Sequence, residues 1–299
     1  MSKDYTGERF LPEECRGEIA IEHYQRYQFA RQLIKGKTVL DAACGEGYGS
    51  SLLSQAASHV TGLDLDKGAV ERASRKYGSE KLSFRAGSIE KLPFEDQSFD
   101  AVVSYETIEH VDGEIQKQFL SEIRRVLKPD GLLIMSTPNK AVYTDLVKGQ
   151  NQFHVKEFYV KEYQDFLHGF FKEIEMFCQY PDVGYFISRE NEAFDIYNRK
   201  EKSQEESRYV LAMCSNVKLQ YTVDTGSLTA FDDSMYYDLN RLVHEKEQEI
   251  LQLKAEAEAF QRQLEADIGK LEKENRLLRE AWRHPLRLGK YLAGQRKRK

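Results

Sequence analysis

The stretch Lys37-Thr-Val-Leu-Asp-Ala-Ala-Cys-Gly-Glu-Gly-Tyr-Gly49 constrains the fold of this chain more than any other. A short apolar run, Val39-Leu40, ends in an acid, Asp41. Small residues then recur at alternate positions, Ala43, Gly45, Gly47 and Gly49, ahead of a helical pattern from Ser50 to Ala57. That order predicts a buried strand, a tight turn and a helix. In an open α/β sheet the ligand crevice lies outside the carboxyl ends of the strands, at such a turn. Glycine there lets the backbone approach a ligand closely. A second strand, His59-Val-Thr-Gly-Leu-Asp64, ends in another acid about 20 residues on, suited to the two hydroxyls of a ribose. The spacing departs from the G-x-G-x-x-G of a dinucleotide turn, and Glu46 inside the turn is a poor neighbour for a pyrophosphate. It is tolerable beside a cationic amino-acid ligand.

Downstream the pattern alternates. We expect a strand at 37–41, a helix at 47–57, a strand at 59–64, a helix at 66–77, strands at 81–86 and 99–105, a helix at 113–127 and a strand at 131–136. That order argues for a parallel, doubly wound sheet. Pro129-Asp-Gly131 is expected to stop the long helix and turn the chain into the next strand. A helix at about 158–168, an extended run at about 170–180 and a last buried strand at 208–214 close the domain, 37–216, near residue 216. Residues 184–207 read as a polar insertion. Residues 1–36 precede the first strand. Tyr5 to Pro12 reads as a loop, and a helix from about Glu18 carries Ile19, His23, Tyr27, Ala30 and Leu33 at helical spacing.

After a linker at 217–235 the character changes. Val243, Ile250, Ala257, Leu264, Leu271 and Leu278 recur every seven residues, and Leu239, Leu253 and Phe260 fill the alternate seam. Lys246, Asp267 and Glu274 interrupt it. Sustained heptads predict a coiled coil over 236–280, of two or three strands, forming a homo-oligomer. At ~1.5 Å per residue it is a stalk of roughly 60 Å. The alternative is one amphipathic helix lying back on the domain. The tail, 281–299, interleaves Arg283, Arg287, Lys290 and Arg296-Lys-Arg-Lys299 with Trp282, Leu286, Leu288, Tyr291 and Leu292. That mixture suits an anionic membrane surface, although basic and aromatic residues together also suit nucleic acid.

The chain has 299 residues, a net charge of −5, 31% charged and 11% aromatic residues. This is enough for a core and a poor match to a polyanion binder. The polar start carries no secretory pattern, and no apolar run approaches the ~20 residues that span a bilayer. Cys15, Cys44, Cys178 and Cys214 are scattered without a C-x-x-C, as expected of free thiols in a reducing cytoplasm.

Taken together, residues from about 5 to 215 resemble the class I S-adenosylmethionine (SAM) methyltransferases. The resemblance implies a Rossmann-like, seven-stranded sheet, mostly parallel with an antiparallel last strand, and SAM as cofactor. Asp41, Ala43, Gly45 and Gly47 belong to the first motif, with Ala43 where many members carry glycine. Asp64 matches the acid that holds the ribose, and Leu65 the residue beside adenine. Gly87-Ser88-Ile89 matches the adenine-lining segment, with Ser88 where many members carry aspartate. Leu92 to Tyr105, Arg125 to Gly131 and Ser136-Thr-Pro-Asn139 match the fourth and fifth strands and their exits, and the resemblance implies a cofactor contact for Tyr105. The N-terminal helix either packs on the sheet edge or covers the cofactor, offering Arg26 and Tyr27 to its carboxylate or sulfonium.

At the acceptor end stands Glu106-Thr-Ile-Glu109-His110. At a helix start these acids and the imidazole share one face. His154 follows in Asn151-Gln-Phe-His-Val-Lys-Glu-Phe158. Glu106, His110 and His154 are the candidate catalytic residues. With Glu109 they resemble the metal site of plant small-RNA 2′-O-methyltransferases, and oxygen-rich sets suit Mg²⁺ or Mn²⁺. The alternative is a metal-free acid/base cluster. The wider set, with stalk and basic foot, resembles bacterial O-antigen chain-terminating methyltransferases. It implies methyl transfer to a sugar hydroxyl at the non-reducing end of a lipid-linked glycan. The enzyme would then work at the inner face of the cytoplasmic membrane beside glycosyltransferases, with no nucleic acid partner. RNA 2′-O-methylation, a quinone-pathway acceptor and an inactive scaffold are the alternatives.

Overall fold

The computed structural model describes residues 18–181, 203–221, 223, 234–283 and 289. The chain divides into two compact units, 1–231 and 232–299. The expected loop from Tyr5 to Pro12, Cys15, most of the 184–207 insertion, most of the linker and the tail beyond Arg283, Gly289 apart, lie outside the described residues.

The first unit opens with α1 (Glu18–Leu33), followed by β1 (Thr38–Ala42), α2 (Tyr48–Ser54), β2 (His59–Asp64), α3 (Lys67–Tyr77), β3 (Leu82–Ala86) and β4 (Phe99–Tyr105). It continues with α4 (Gly113–Val126), β5 (Leu127–Pro138), α5 (Val160–His168), β6 (Glu173–Gln179) and β7 (Tyr209–Ser215). The strands form one sheet of order β3-β2-β1-β4-β5-β7-β6. The first five in that order are parallel, while β7 runs antiparallel to β5 and β6 antiparallel to β7. This is the expected Rossmann-like sheet with an antiparallel edge.

The central strands are apolar on both faces because helices cover both. Val39, Leu40, Val102, Val103, Leu133 and Ile134 are fully buried. One core layer joins the sheet to Phe119, Leu120 and Ile123 of α4 and Tyr163 and Leu167 of α5. The other takes in Tyr27, Ala30 and Leu33 of α1 and Leu53 of α2. Asp66 and Asp112 cap α3 and α4, each accepting from two backbone N–H groups of the first turn, which satisfies donors that a helix start leaves open.

Three expectations change. Helix α4 ends at Val126, and Pro129-Asp-Gly131 lies inside β5, where the pairing slips between Phe99↔Leu127 and Ala101↔Leu132. The proline and glycine make an irregularity in the strand, as both tend to do in sheets, rather than a helix stop. Helix α2 is shorter than expected, ending at Ser54. The buried side of α1 keeps Tyr27, Ala30 and Leu33 of the expected face but also takes in two charged residues. Glu22, Arg26, Tyr27, Ala30 and Leu33 are buried, while Ile19 is exposed.

The second unit is described by α6 (Ser234–Arg283), a single helix. Its heptad residues Ile250, Leu253, Phe260, Leu264, Leu271 and Leu278 are exposed to solvent. No helix among the described residues is long and apolar enough to cross a membrane. The described cysteines, Cys44, Cys178 and Cys214, are free thiols.

Candidate active site

The turn after β1 runs through three left-handed residues, Ala43 (φ +64°), Gly45 (+54°) and Gly47 (+79°). Gly47 begins α2, and a Cβ there would come within 2.7 Å of Phe84 and Ala73. Ala43 adopts the same region with a side chain, at a strain of about 1–2 kcal/mol. Asp64 fastens this turn to the next. Its Oδ2 accepts from the Gly45 N–H at 2.8 Å and its Oδ1 from the Asp66 N–H at 2.9 Å. Glu46 is anchored outward, accepting from Arg72 Nε and Nη2 at 2.9 and 2.6 Å.

Leu65, just past the end of β2, is 74% exposed. Asp64 pairs in register with Ala86 at the end of β3, so Leu65 and the Gly87-Ser88-Ile89 segment leave the same edge of the sheet. Ser88 Oγ accepts from the Glu90 N–H at 3.1 Å, and Ile89 is partly buried against the core.

Asp41 is enclosed. The Ser50 hydroxyl donates to its Oδ2 at 2.6 Å and the Tyr27 hydroxyl to its Oδ1 at 3.3 Å. Burial, aided by the like charge of Asp64, pushes its carboxyl up to about 7. Arg26 and Tyr27 stand in the wall of the site rather than over it. The Tyr27 ring meets Tyr48 and Tyr105 edge-on, at 5.4 and 5.1 Å between centroids. Arg26 is 1% exposed. It donates from Nη1 to Gln179 Oε1 at 2.8 Å, lies 4.6 Å over the Tyr209 ring and sits 3.9 Å from Glu106 Oε1. Its backbone carbonyl accepts from the Tyr105 hydroxyl at 2.9 Å. Its Nε and Nη2 have no protein partner, and a buried guanidinium in that state favours a bound carboxylate.

Glu106 does not begin a helix. It follows β4 with φ +51°, and only Ile108–His110 form a 3-10 turn. Strained residues of this kind cluster at functional sites. The left-handed residue separates the two acids. Glu106 Oε1 accepts from the Ser136 hydroxyl at 2.6 Å, whereas Glu109 Oε2 accepts from Thr137 at 3.0 Å. Glu109 is fully buried and its Oε1 has no hydrogen-bond partner among the described residues. Burial, then the like charge of Glu106, raises its carboxyl well above the usual range. The Glu109 backbone carbonyl accepts from the N–H groups of Val155 and Lys156, which brings the loop carrying His154 to this place.

His110 Nδ1 lies 3.1 Å from the Phe153 carbonyl, so that nitrogen carries the proton. Its Nε2 is 3.9 Å from Glu109 Oε1. His154 Nδ1 lies 2.5 Å from Glu157 Oε1, and the Asn151 amide caps its Nε2 at 3.1 Å. The Tyr143 ring stacks on His154 at 5.3 Å, and His110 meets His154 edge-on at 5.0 Å. Ligand atoms of Glu109, His110 and His154 all lie within 4.8 Å of one another. An open carboxylate oxygen and two imidazoles whose Nδ1 atoms are held by oxygen acceptors fit a divalent cation. An ion taking His154 Nε2 displaces the Asn151 amide. Glu106 is outside that set, engaged with Ser136 and Arg26, so the four-ligand expectation reduces to three.

Sequence reasoning missed Glu157, Thr144 and Tyr143. The Thr144 hydroxyl donates to Glu157 at 2.7 Å, completing a frame around His154. The His154-to-Glu157 spacing was the one available signal. Tyr143 sits in a π-helical turn, Ala141–Leu146, which no sequence period marks.

Residues 40–135 match the methyltransferase domain family. A Mycolicibacterium smegmatis protein named a probable S-adenosylmethionine-dependent methyltransferase is 36% identical over 172 residues, covering 54% of this chain and 62% of that one. Phthiotriol/phenolphthiotriol dimycocerosates methyltransferase 1 of Mycobacterium ulcerans is 38% identical over 115 residues, 38% of this chain and 39% of its own length. The chain thus spans less than two thirds of the length of these relatives. A SAM-dependent methyltransferase structure from Thermotoga maritima aligns with a TM-score of 0.51 at 21% identity, covering 66% of this chain and 90% of that one. A chain from the complex of the Haloferax volcanii Trm112 activator with a methyltransferase aligns at 0.50, with 21% identity and coverage of 67% and 91%. These two speak for the fold alone. The domain match over residues 40–135, the names of the relatives and the seven-stranded sheet agree in likening this part of the chain to the class I S-adenosylmethionine-dependent methyltransferases.

Proposed function

We propose that the protein is a SAM-dependent O-methyltransferase acting on a sugar hydroxyl at the non-reducing end of a lipid-linked bacterial surface polysaccharide. The observation that carries an alcohol acceptor is the pair of acids beyond β4. Glu106 sits at a strained position beside Arg26 and Ser136, while Glu109 is buried and driven toward its neutral form, next to two imidazoles. A buried carboxyl driven toward its neutral form in a cluster of other titratable groups is a usual mark of a functional site. In this reading Asp64 takes the ribose, Leu65, Ser88 and Ile89 border the adenine, and Arg26 takes the methionine carboxylate. Glu106 and His110 orient the acceptor hydroxyl in line with the sulfonium methyl and receive its proton. A relative named for phthiotriol, a triol by that name, supports an alcohol acceptor.

A metal-assisted variant is favoured by one observation, the convergence of Glu109, His110 and His154. Mg²⁺ or Mn²⁺ held there would lower the acceptor hydroxyl's pKa when bound. The exposed heptad stripe of α6 supports a homo-oligomeric stalk. The basic tail supports attachment to the inner face of the cytoplasmic membrane, near membrane-associated glycosyltransferases.

The test is incubation of the full chain with SAM and lipid-linked oligosaccharides, reading S-adenosylhomocysteine release and the gain of one methyl group by mass spectrometry. A methyl ether on the terminal sugar is expected. Turnover on a quinol or an RNA 2′-hydroxyl, with none on any glycan, overturns the acceptor and leaves the methyltransferase.

A further inference from the structure

The strap that frames His154 ends in an apolar rim. Leu146 and Val147, closing the π-helical turn, are 71% and 68% exposed, and Val155, next to His154, is 63% exposed. Two clamps hold these runs together at the mouth of the site. Tyr143 stacks on His154, and Thr144 donates to Glu157. Single exposed apolar residues are ordinary; here three stand on two runs that these contacts hold together.

The charges beside the rim say what covers it. Asp145 is taken up by Lys140 and by the Tyr159 hydroxyl at 2.8 and 2.9 Å. Glu157 is taken up by Thr144 and His154. Lys148, at a left-handed turn (φ +54°), has no acidic partner among the described residues, and Lys156 lies 5.4 Å over the Phe158 ring. The strap therefore shows apolar tips flanked by cations without carboxylate partners among the described residues.

We propose that this rim contacts an anionic membrane surface, with Leu146, Val147 and Val155 entering the headgroup layer and Lys148 and Lys156 resting on its phosphates. Amphipathic surfaces of this composition bind by buried apolar area plus attraction to anionic lipid. The contact turns the mouth beside His110 and His154 toward the bilayer, where a lipid-borne acceptor would be presented. It rests on the proposed function and deepens it at the level of substrate delivery.

The test uses the full chain with Cys15→Ser and Cys178→Ser, carrying Val147→Cys labelled with an environment-sensitive fluorophore. Phosphatidylcholine vesicles with and without phosphatidylglycerol are the probes, and Glu71→Cys on the exposed side of α3 is the control label. The expected result is a blue shift at position 147 with anionic vesicles only and none at 71. Adding Lys148→Glu and Lys156→Glu should weaken partitioning by roughly 30-fold or more with an unchanged cooperative melt. Sedimentation with vesicles while the 147 probe stays aqueous would assign binding to another surface and overturn the proposal, as would absence of vesicle binding. No methyl transfer is measured, so failure of the rim and failure of the glycan acceptor are read separately.

Discussion

The ring of Tyr27 fills the space where a side chain on Gly49 would stand. That contact seats α1 against the start of α2, directly behind the cofactor turn. Gly49→Ala must push the ring away, and with it the hydroxyl that Tyr27 gives to Asp41. Overpacking of this kind costs about 1–3 kcal/mol. We expect a lower urea midpoint and weaker SAM binding by calorimetry. Wild-type values for both would show that α1 moves aside freely.

Asp41 titrates in a window set by its burial. Its folded value, raised to about 7 from 3.8, means that the folded state holds the proton where the unfolded chain has lost it. Stability from this group is therefore complete below about pH 4 and is lost as pH rises toward 7, by about 1.4 kcal/mol per pH unit within the window. Asn retains an acceptor for Ser50 and cannot ionise. Asp41→Asn should flatten the wild-type slope between pH 5 and 7 in urea titrations, which converts directly into relative stability at each pH. Parallel slopes for the two proteins would contradict a raised value at Asp41.

The sheet was legible because its signals are local and repeated. Buried runs such as Val39-Leu40 and Ala101-Val102-Val103 alternate with capped helices, and that alternation survives without tertiary information. The site was legible by residue type and less so by geometry. Glu106 looks like a helix start in sequence, yet its φ of +51° is imposed by the junction of β4 with the following turn. In sequence Arg26 reads as a residue offered to the cofactor, whereas its partners Gln179 and Tyr209 arrive from distant strands that no local pattern links to α1. The frame around His154 depends on a π-helical turn, whose period has no apolar pattern to announce it.

Glu109 and Glu106 should separate in mutagenesis. The environment of Glu109 favours its neutral acid, so Glu109→Gln replaces one neutral group with another. We expect the variant to fold with equal or greater stability at pH 8. If the Glu109–His110–His154 triad takes a cation, the same change replaces a carboxylate ligand by a neutral amide, and Mn²⁺ binding by electron paramagnetic resonance should weaken by at least the roughly 10–100-fold that changes to outer-shell partners cost. Glu106→Gln should instead leave Mn²⁺ binding intact and lower kcat by about 100-fold or more, with little change in SAM affinity. Equal loss of SAM affinity and kcat in Glu106→Gln would place that residue on the cofactor rather than on the acceptor.

The stripe on α6 gives the last prediction. Over its 50 residues the helix carries surface pairs such as Lys246–Glu249 and Lys270–Asp267, which contribute little at exposed positions. The same helix exposes Leu264 and Leu271 at 51% and 64%. Burying a leucine is worth about 1.5–3 kcal/mol, so the proposed association along the heptad seam would outweigh these surface pairs. Leu264→Ser with Leu271→Ser in the full chain should convert a dimer or trimer into a monomer by sedimentation equilibrium, with a fall in helical circular dichroism at 222 nm. The methyltransferase unit should keep its own melting transition, since these leucines lie in the second compact unit. A wild-type chain that sediments as a monomer at every concentration would remove the stalk from the proposed function.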